Sequence, residues 1–349
     1  MKYKTNGIQG IFDRQETQHK LSSIGNPLEK VSSVIDFEIF RPLLELKLLN
    51  TNKKSNAGAK PYDVVLMFKI LILQRYYGLG DSQIEYQILD RQSFKQFLGL
   101  ESGDKVPDEK TVWAFREKLT RLGLVEDLFE QFNLYLENQS LIMNQGKMVD
   151  ASFTVAPRQR NTREENQQIK DGRGDELWND KPNKKKHKDI DARWTKKNKE
   201  TFYGYKNHAK VDTKSKIIDT YKVTDASVHD SQPLDDLLTV NDYGQDFYAD
   251  SAYTGEEQEK VIEKHGLKNL VNEKGYRNKP LTEEQKQNNK VKSKTRARVE
   301  HVFGFMEQSM HGLSLRSIGI TRATGIIGLI NLTYNLFRYE QIVRLGEFV

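Results

Sequence analysis

Lys147-Met148-Val149-Asp150-Ala151-Ser152 is the stretch that decides the fold. Its apolar residues predict a short buried strand, and Asp150 stands where that strand ends. The residues before it, 1–140, have the apolar spacing and the caps of helices, whereas the residues after it alternate short apolar runs with turns. The chain therefore changes at this point from a helical part to a part that contains a sheet.

Five strands are predicted from residue 146 onward. The predicted strands are 147–152, 202–211, 217–224, 245–250 and 267–271, and the predicted helices are 231–240, 255–265, about 290–310 and a C-terminal helical region. The polar segment 212–216 joins the second and third strands into a hairpin. The order is three strands, a helix, a strand, a helix, a strand and a helix. It matches the ribonuclease-H-like α/β fold, a mixed five-stranded sheet flanked by helices, in which the first strand is central and the fourth lies beside it.

The first 140 residues are predicted to be helical, with a polar linker at 50–60. An N-cap and a proline in Asn26-Pro27-Leu28-Glu29 predict a helix that continues to about residue 49. A second, strongly apolar helix is predicted at 64–77, and a capping box in Ser82-Gln83-Ile84-Glu85 begins a third. After Pro107-Asp108, a further helix is predicted from an apolar face that consists of Val112, Phe115, Leu119 and Leu122. Short helices with glycine-rich turns are also compatible with a helix-turn-helix, but no segment is marked as a recognition helix.

Positive charge is concentrated in two segments of the 349 residues. Residues 158–200 contain 14 Lys and Arg against 9 Asp and Glu, and so account for +5 of the net charge of +6. Residues 286–298 contain six Lys and Arg and no acid. Clustered cations are typical of proteins that contact the phosphates of nucleic acids, although a solvated basic loop has the same composition.

Two domains follow from these patterns. Residues 1–140 form a helical N-terminal domain. Residues 141–349 form a ribonuclease-H-like domain. Residues at about 153–201 are a basic insertion between its first two strands, and their glycine, lysine and asparagine content predicts a mobile loop that becomes ordered on DNA.

Composition excludes several classes of protein. The chain has no cysteine, so disulfides, thiolate zinc sites and cysteine nucleophiles are excluded. Its 16 Phe, 15 Tyr and 3 Trp are too many for a disordered chain. Residues 1–14 lack the apolar core of a signal peptide, and the apolar stretches 64–73 and 326–337 are too short to span a bilayer. We expect a cytoplasmic protein that does not contact the membrane.

Three carboxylates stand in contexts that fit a common site. Asp150 and Asp250 end the first and fourth predicted strands, which are neighbours, and sites in α/β proteins form at the carboxyl ends of such strands. Asp246 competes with Asp250 because both lie on the same face of the strand, but Asp250 is preferred because it ends the strand. Glu300 is the third acid and lies on the basic helix at about 290–310.

The helix that carries Glu300 is predicted to be amphipathic. Its buried stripe is expected to consist of Val299, Val302, Phe303, Met306 and Met310. Glu300 lies beside this stripe, at the border between core and solvent. Arg296 is one turn earlier on the same face, where it can orient the carboxylate or bind a phosphate oxygen.

Carboxylates from separate elements, beside clustered cations, indicate divalent metal ions that face a phosphate backbone. Two Mg²⁺ ions roughly 3.5–4 Å apart neutralise the attacking and leaving oxygens when a phosphodiester is cleaved in line. Hard oxygen ligands suit Mg²⁺ or Mn²⁺. Water attacks first and leaves a 3′-hydroxyl, which the same site can then direct at a second phosphodiester.

The residues proposed to bind DNA lie near these carboxylates or in the basic segments. They are Lys184, Lys185, Lys186, Arg193, Lys206, Lys292, Lys294, Arg296, Arg298 and His301. Structural roles are assigned to His208 within a strand, His229 in a loop and Asp230 as a helix cap, since no histidine spacing fits zinc. Asn331 and Asn335, on one face of the apolar C-terminal helix, are expected to form hydrogen bonds inside the domain, with a substrate role as the alternative.

Taken in order, the motifs of this chain resemble those of DDE transposases of bacterial insertion sequences, most closely the insertion sequence 5 group within the insertion sequence 4 clan. Residues 61–119 resemble the helical N-terminal domain of that group, which implies that the domain at 1–140 binds DNA ends and that the domain at 141–349 is the catalytic one. The core motifs are Val149-Asp150-Ala151-Ser152, Tyr203-Gly204-Tyr205-Lys206-Asn207-His208, Ala226-Ser227-Val228-His229-Asp230-Ser231, Ala249-Asp250-Ser251-Ala252-Tyr253 and Arg298-Val299-Glu300-His301-Val302-Phe303-Gly304. The resemblance covers most of the chain and implies that Asp150, Asp250 and Glu300 are the metal-binding triad.

The resemblance is weakest on the helix of the third acid. The clan has a Tyr seven residues before the glutamate, an Arg four before it and a Lys seven after it. This chain has Ser293, Arg296 and Glu307 at those positions. We expect Lys292 or Lys294 to supply the missing positive charge.

The resemblance implies a transposase that binds the terminal inverted repeats of its own element, cleaves them and joins the 3′ ends to target DNA. It also implies a dimer on DNA, associated with the bacterial nucleoid. Two alternatives remain, a metal-dependent nuclease of the same fold that cuts without joining and a non-catalytic DNA-binding remnant. The intact carboxylates disfavour the remnant. The repeat sequence, the target preference and the processing of the second strand stay open.

Overall fold

The computed structural model describes residues 10, 12–49, 60–101, 103–142, 144–197 and 199–346. The predicted linker at 50–60 lies, except for Lys60, outside the described residues. None of the helices within these ranges is long and apolar enough to cross a membrane.

Eight α-helices make up the N-terminal region of the described chain. They are α1 (Asp13–Ile24), α2 (Pro27–Val34), α3 (Arg41–Leu48), α4 (Val64–Tyr76), α5 (Asp81–Asp90), α6 (Gln92–Leu98), α7 (Glu109–Arg121) and α8 (Leu124–Asn138). The prediction of one helix from residue 26 to about 49 is wrong, because a 3₁₀ turn (Phe37–Phe40) separates α2 from α3. Asp36 caps this turn by accepting a hydrogen bond from the amide of Glu38, and Pro42 lies in the first turn of α3.

Carboxylate caps begin two of the predicted helices. Asp63 caps α4 and Asp108 caps α7, each by accepting hydrogen bonds from backbone amides of the first turn. The helices predicted from these two segments are confirmed. α5 begins just before the predicted capping box, because the side chain of Gln83 accepts a hydrogen bond from the amide of Gly80. Leu122 lies beyond the end of α7 and is exposed, so its assignment to the apolar face is wrong.

The described residues form a six-stranded sheet that contains the five predicted strands in the predicted order. The strands are β1 (Gly146–Val155), β2 (Arg193–Lys197), β3 (Glu200–Asp212), β4 (Ile218–Asp225), β5 (Asp246–Tyr248) and β6 (Lys268–Asn269). β1 is central and pairs antiparallel with β3 and parallel with β5. β4 lies beyond β3, and β6 lies beyond β5. The ribonuclease-H-like prediction is confirmed, with β2 as an additional strand that pairs with the start of β3.

Six further helices flank this sheet in the described chain. They are α9 (Arg163–Lys170), α10 (Pro182–Lys186), α11 (Leu234–Leu237), α12 (Glu256–Lys264), α13 (Glu283–Gly304) and α14 (Ile320–Leu345). The helix predicted at 231–240 is reduced to α11. The helix predicted at about 290–310 begins earlier, because Thr282 and Gln285 form a capping box, and a π-helical turn (Phe305–Ser309) follows α13.

The basic insertion is folded, so the prediction of a mobile loop is wrong. It contains α9, α10 and β2 among the described residues. Trp178 is buried and donates a hydrogen bond to Glu165 of α9. Asp189 is also buried and accepts a hydrogen bond from the hydroxyl of Tyr205 in β3, at 2.8 Å. The contacts of Trp178 and Asp189 hold the insertion in a folded state, although the polar composition of the segment does not indicate them.

One apolar core joins the N-terminal helices to the sheet. α14 is buried along most of its length and packs against α2, α4, α7, α8 and β4. The core extends from Leu28 in α2 to Ile342 in α14. A second cluster, which includes Phe247 and Ile262, lies around β5 and α12. The packing marks no boundary at residue 140, so the division into domains stays a prediction.

Buried amides fix α14 against the sheet. Asn331 and Asn207 of β3 exchange two hydrogen bonds, of 2.7 and 3.1 Å. Asn335 accepts from the amide of Ile218 at the start of β4 and donates to its carbonyl and to Asn133. The prediction that both asparagines form hydrogen bonds inside the protein is confirmed.

Candidate active site

The parallel pairing of β1 with β5 brings Asp150 close to Asp250. Gly146 pairs with Asp246, and this register continued for four residues puts Asp150 level with Asp250. The negative charge of Asp250 is near enough to act on Asp150. Asp246 is level with the start of β1 instead, so the register favours Asp250 over Asp246 as the partner of Asp150.

Neither aspartate ends its strand as predicted, since Asp150 lies in the middle of β1 and Asp250 follows β5. β5 ends at Tyr248, two residues earlier than predicted. Asp250 is the N-cap of a 3₁₀ turn (Ser251–Tyr253) and accepts a hydrogen bond from the amide of Ala252 at 2.8 Å. This cap holds the carboxylate at the carboxyl edge of the sheet.

Asp150 is a buried acid with few partners. One oxygen accepts a hydrogen bond from the amide of Ala151 at 2.8 Å, and the other accepts from Arg296 at 3.2 Å. Burial raises the pKa of Asp150 to about 6, Ala151 and Arg296 oppose this rise, and Asp250 adds to it. A carboxylate under these conditions is stabilised by an additional cation.

Arg296 joins Glu300 to Asp150. Its Nη2 donates to Glu300 at 2.8 Å, and its Nη1 donates to Asp150 at 3.2 Å. The Glu300 side chain is 58% exposed, whereas the predicted stripe that begins with Val299 is buried, as expected. Arg296 therefore orients the carboxylate of Glu300, which is one of its two predicted roles.

The chemistry of the acids fits a divalent metal ion, but one acid is displaced. Asp150 and Asp250 offer hard oxygen ligands in a place that is short of positive charge, which suits Mg²⁺ or Mn²⁺. Within the described ranges, no group of three His, Asp or Glu side chains is arranged to hold a metal ion. Glu300 is bonded to Arg296 instead of lying with the two aspartates.

Two residues beside the aspartates were not predicted to belong to the site. The hydroxyl of Tyr253 is buried and has no hydrogen-bond partner in the described part of the chain. Burial, together with the charges of Asp150, Asp230 and Asp250, holds the pKa of Tyr253 well above its ordinary value. Asp230 accepts from Lys206 at 2.7 Å and lies four residues before α11, so its prediction as a helix cap is wrong. Asp230 belongs to one of the ordered sequence motifs, Ala226-Ser227-Val228-His229-Asp230-Ser231, and this is the signal that could have assigned it to the site.

The histidines near the site have structural contacts, as predicted. His208 is buried in β3, with its Nε2 2.8 Å from the hydroxyl of Thr224, and burial lowers its pKa to about 4. The Nδ1 of His229 lies 2.9 Å from the hydroxyl of Ser231. Both histidines therefore help to hold the strand and the loop that surround the carboxylates.

The cations predicted to bind DNA fall into three groups. Five donate to backbone carbonyls and so support the fold: Lys185, Arg193, Lys206, Lys292 and Arg298. Lys184 pairs with Glu165. Lys186, Lys294 and His301 are exposed. DNA binding by each of them stays a prediction.

Two family models match the chain. The model described as "Transposase DDE domain" matches residues 145–336, and the model described as "Transposase domain (DUF772)" matches residues 15–118. The chain belongs to the Transposase DDE domain family. The first match begins at β1 and ends within α14, so it includes all three acids. Membership of the insertion sequence 5 group stays a prediction within this transposase family.

The chain is also similar to a piggyBac transposase whose synaptic complex with hairpin DNA was solved by cryo-electron microscopy. The sequences are 13% identical, and the match covers 94% of this chain and 77% of that chain, with a TM-score of 0.42. A likeness of this degree adds nothing to the functional reasoning.

Proposed function

We propose that this member of the transposase family binds the terminal inverted repeats of its own element, cleaves DNA there and joins the 3′-hydroxyl ends to target DNA. The observation that carries the proposal is the meeting of Asp150 and Asp250 at β1 and β5, with Glu300 one arginine away on α13. The family match over residues 145–336 supports it, because that segment contains all three acids.

The acids have different parts in the proposed reaction. Asp150 and Asp250 would hold the divalent cation. Glu300 would leave Arg296 and become the third ligand of that cation. The cation, Mg²⁺ or Mn²⁺, neutralises charge on the attacking and leaving oxygens of the phosphodiester. Arg296 would then be free to bind a phosphate oxygen, its second predicted role.

The basic insertion is placed to contribute to DNA binding. Lys197 of β2 acts on the charge of Asp150 and lies 3.7 Å from Asp230, so the insertion reaches the site. Lys186 in the insertion and Lys294 on α13 are exposed for phosphate contacts. The N-terminal helices would bind the DNA end, and a dimer would hold two ends together.

A strand-transfer assay with precleaved end DNA tests the reaction. Asp150→Asn, Asp250→Asn and Glu300→Gln are each expected to abolish cleavage and joining while DNA binding is kept. Asp246→Asn is the matched control, since Asp246 lies on the same strand but away from Asp150, and it should remain active. A wild type that nicks DNA and never joins 3′ ends would be a nuclease, and one that binds without cutting would be a remnant.

A further inference from the structure

A cavity of about 320 Å³ lies between the N-terminal helices and the segment that leads into α14. Its wall includes parts of α4, α7 and α14 and the turn before α5. The charged residues of the lining, besides His311, are Arg75, Arg116, Arg316, Arg322, Asp81 and Glu117. Four guanidinium groups thus face two carboxylates.

Two of the four arginines are already paired. Arg116 donates to Asp81 at 2.7 Å, and Arg322 donates to Glu117 at 2.7 Å. Arg75 and Arg316 have no carboxylate bonded to them in the described residues. The excess positive charge of the cavity therefore comes from these two side chains.

Arg75 is the more buried of the two. Its Nε is buried and has no hydrogen-bond partner within the described structure. The pKa of Arg75 is lowered to about 10, mainly by burial and also by the charges of Arg116 and Arg316, with Asp81 opposing them. A guanidinium in this position is stabilised when an anion enters the cavity.

Glycines bring the second cation and the backbone close together. A Cβ on Gly80 would lie 2.8 Å from Nη1 of Arg316, and a Cβ on Gly78 would lie 2.8 Å from the Cβ of His311. Gly80 is also the N-cap of α5, so the first amides of that helix add partial positive charge beside the cavity.

We infer that this cavity binds a phosphate group of the DNA backbone. The inference rests on the proposed function, which makes DNA the source of the phosphate. The groups that would bind the phosphate are side chains of the cavity itself. Arg75 and Arg316 offer planar donors that fit phosphate oxygens. Trp113, which is 46% exposed in the lining, fits the sugar or base beside that phosphate.

The position of the cavity agrees with a DNA strand that also reaches the acids. Ser314 of the lining pairs with Val155, which lies five residues from Asp150 on β1. At about 3.3 Å per residue this is roughly 17 Å. A DNA strand rises about 3.4 Å per phosphate along the helix axis and also winds around that axis, so the cavity would hold a phosphate at most about five nucleotides from the one at the acids.

The salt dependence of DNA binding tests the inference in the full-length protein. Arg75→Gln and Arg316→Gln remove the two unpaired cations, and Arg121→Gln, exposed on α7 outside the cavity, removes the same charge as the control. We expect the Arg75→Gln/Arg316→Gln variant to bind duplex DNA roughly tenfold more weakly or worse. The slope of log K against log salt concentration should fall by about 0.9, the value for one phosphate. A slope and affinity equal to those of Arg121→Gln would overturn the inference.

Inorganic phosphate separates a DNA phosphate from a free one. Thermal unfolding is followed with phosphate and with chloride at equal ionic strength. If phosphate raises the Tm of the wild type but not of Arg75→Gln/Arg316→Gln, and DNA binding is the same in both, the cavity binds free phosphate and the DNA assignment is overturned. If the wild type binds no DNA, the proposed function fails. The Tm effect of phosphate then decides whether the cavity is a phosphate site.

Stability separates a ligand-binding role of Arg75 from a structural one. Without phosphate or DNA, Arg75→Gln should be at least as stable as the wild type, because it removes a partly buried guanidinium whose buried Nε has no partner in the described residues. A large loss of stability would show that Arg75 supports the fold, and would overturn its role as a phosphate ligand. Arg316→Gln changes an exposed side chain, so its binding data remain usable in either case.

Discussion

Replacing Asp150 with asparagine should stabilise the metal-free protein while it abolishes cleavage. Asparagine keeps the size of the side chain and an oxygen for the amide of Ala151, but it removes the buried charge. That charge is unfavourable because the side chain is only 16% exposed and Asp250 repels it. Arg296 offsets only part of the effect, so the folded protein is destabilised by an acid that the proposed chemistry requires.

The pKa of Asp150 sets the size and the sign of the effect. It rises from 3.8 to about 6 on folding. A rise of about two units corresponds to roughly 3 kcal/mol at most. The folded protein binds this proton more tightly than the unfolded chain does, so the free energy of unfolding falls as the pH rises from about 4 to about 6, and this contribution is constant above that range.

Urea unfolding across this pH range, with a chelator present, measures the effect. Asp150→Asn should be more stable than the wild type by up to about 3 kcal/mol near pH 8 and equal to it near pH 4. Excess Mg²⁺ should then stabilise the wild type and not the variant, since only the wild type binds it tightly. A variant that is less stable than the wild type near pH 8 in chelator would refute the reasoning, because Asp150 would then be a satisfied structural acid.

Asp219→Asn is a matched control with the opposite sign. Asp219 is also buried, but Lys147 at 3.0 Å and Lys210 at 3.1 Å hold its pKa below its ordinary value in spite of burial. Its stabilising contribution is present above about pH 4 and is lost as the pH falls through the lowered pKa. Removing this charge leaves Lys147 bonded to the neutral Asn144, and Lys210 with Asp242 as its one acidic partner among the described residues, so up to about 3–5 kcal/mol should be lost near pH 8.

Three further predictions concern the sheet, α14 and the insertion. Gly204→Ala should lower the free energy of unfolding in urea by at least about 2 kcal/mol, because Gly204 has a φ of 147° and a Cβ there would collide with the backbone of β1; an unchanged urea midpoint would contradict this. Asn335→Ala should cost roughly 1–3 kcal/mol in the same assay, because the buried amide of Ile218 loses its partner while its carbonyl keeps only the bond from Asn133. Changing Lys184, Lys185 and Lys186 together to glutamine should lower the salt slope of DNA binding by about 0.9 for each phosphate that these lysines neutralise, and an equal slope would show that they do not touch DNA.

The strand order was predictable because burial and turns leave clear patterns in the sequence. The lengths of the strands were not. The apolar run at 245–250 predicts six strand residues, yet β5 has three, since pairing needs a partner strand and β1 faces β5 only over its first three residues. Ala249 is buried without belonging to a strand. An apolar pattern reports burial, and it does not report hydrogen bonding.

Contacts within one helix were predictable, whereas contacts between distant elements were not. Arg296 and Glu300 are one turn apart, so their ion pair follows from helix geometry. The bond from Arg296 to Asp150 joins residues 146 positions apart, and no local pattern encodes it. The same holds for Tyr253, whose place among three acids depends on how β1, β5 and the loop before α11 pack together.

The site is built from elements of unequal stability, and this fits a metal-binding role. β1 is paired with β3 on both sides of Asp150, which lies opposite Ala209, so Asp150 cannot move without breaking that pairing. α13 is held less firmly, since the buried residues among those described in it are Val299, Val302 and Phe303. Freeing Glu300 from Arg296 breaks a largely exposed ion pair, which is worth about 1 kcal/mol or less. Placing Asp150 beside Asp250 has the larger unfavourable free energy, and this is already overcome when the chain folds. Only the smaller rearrangement of Glu300 would then be needed for a cation to bind.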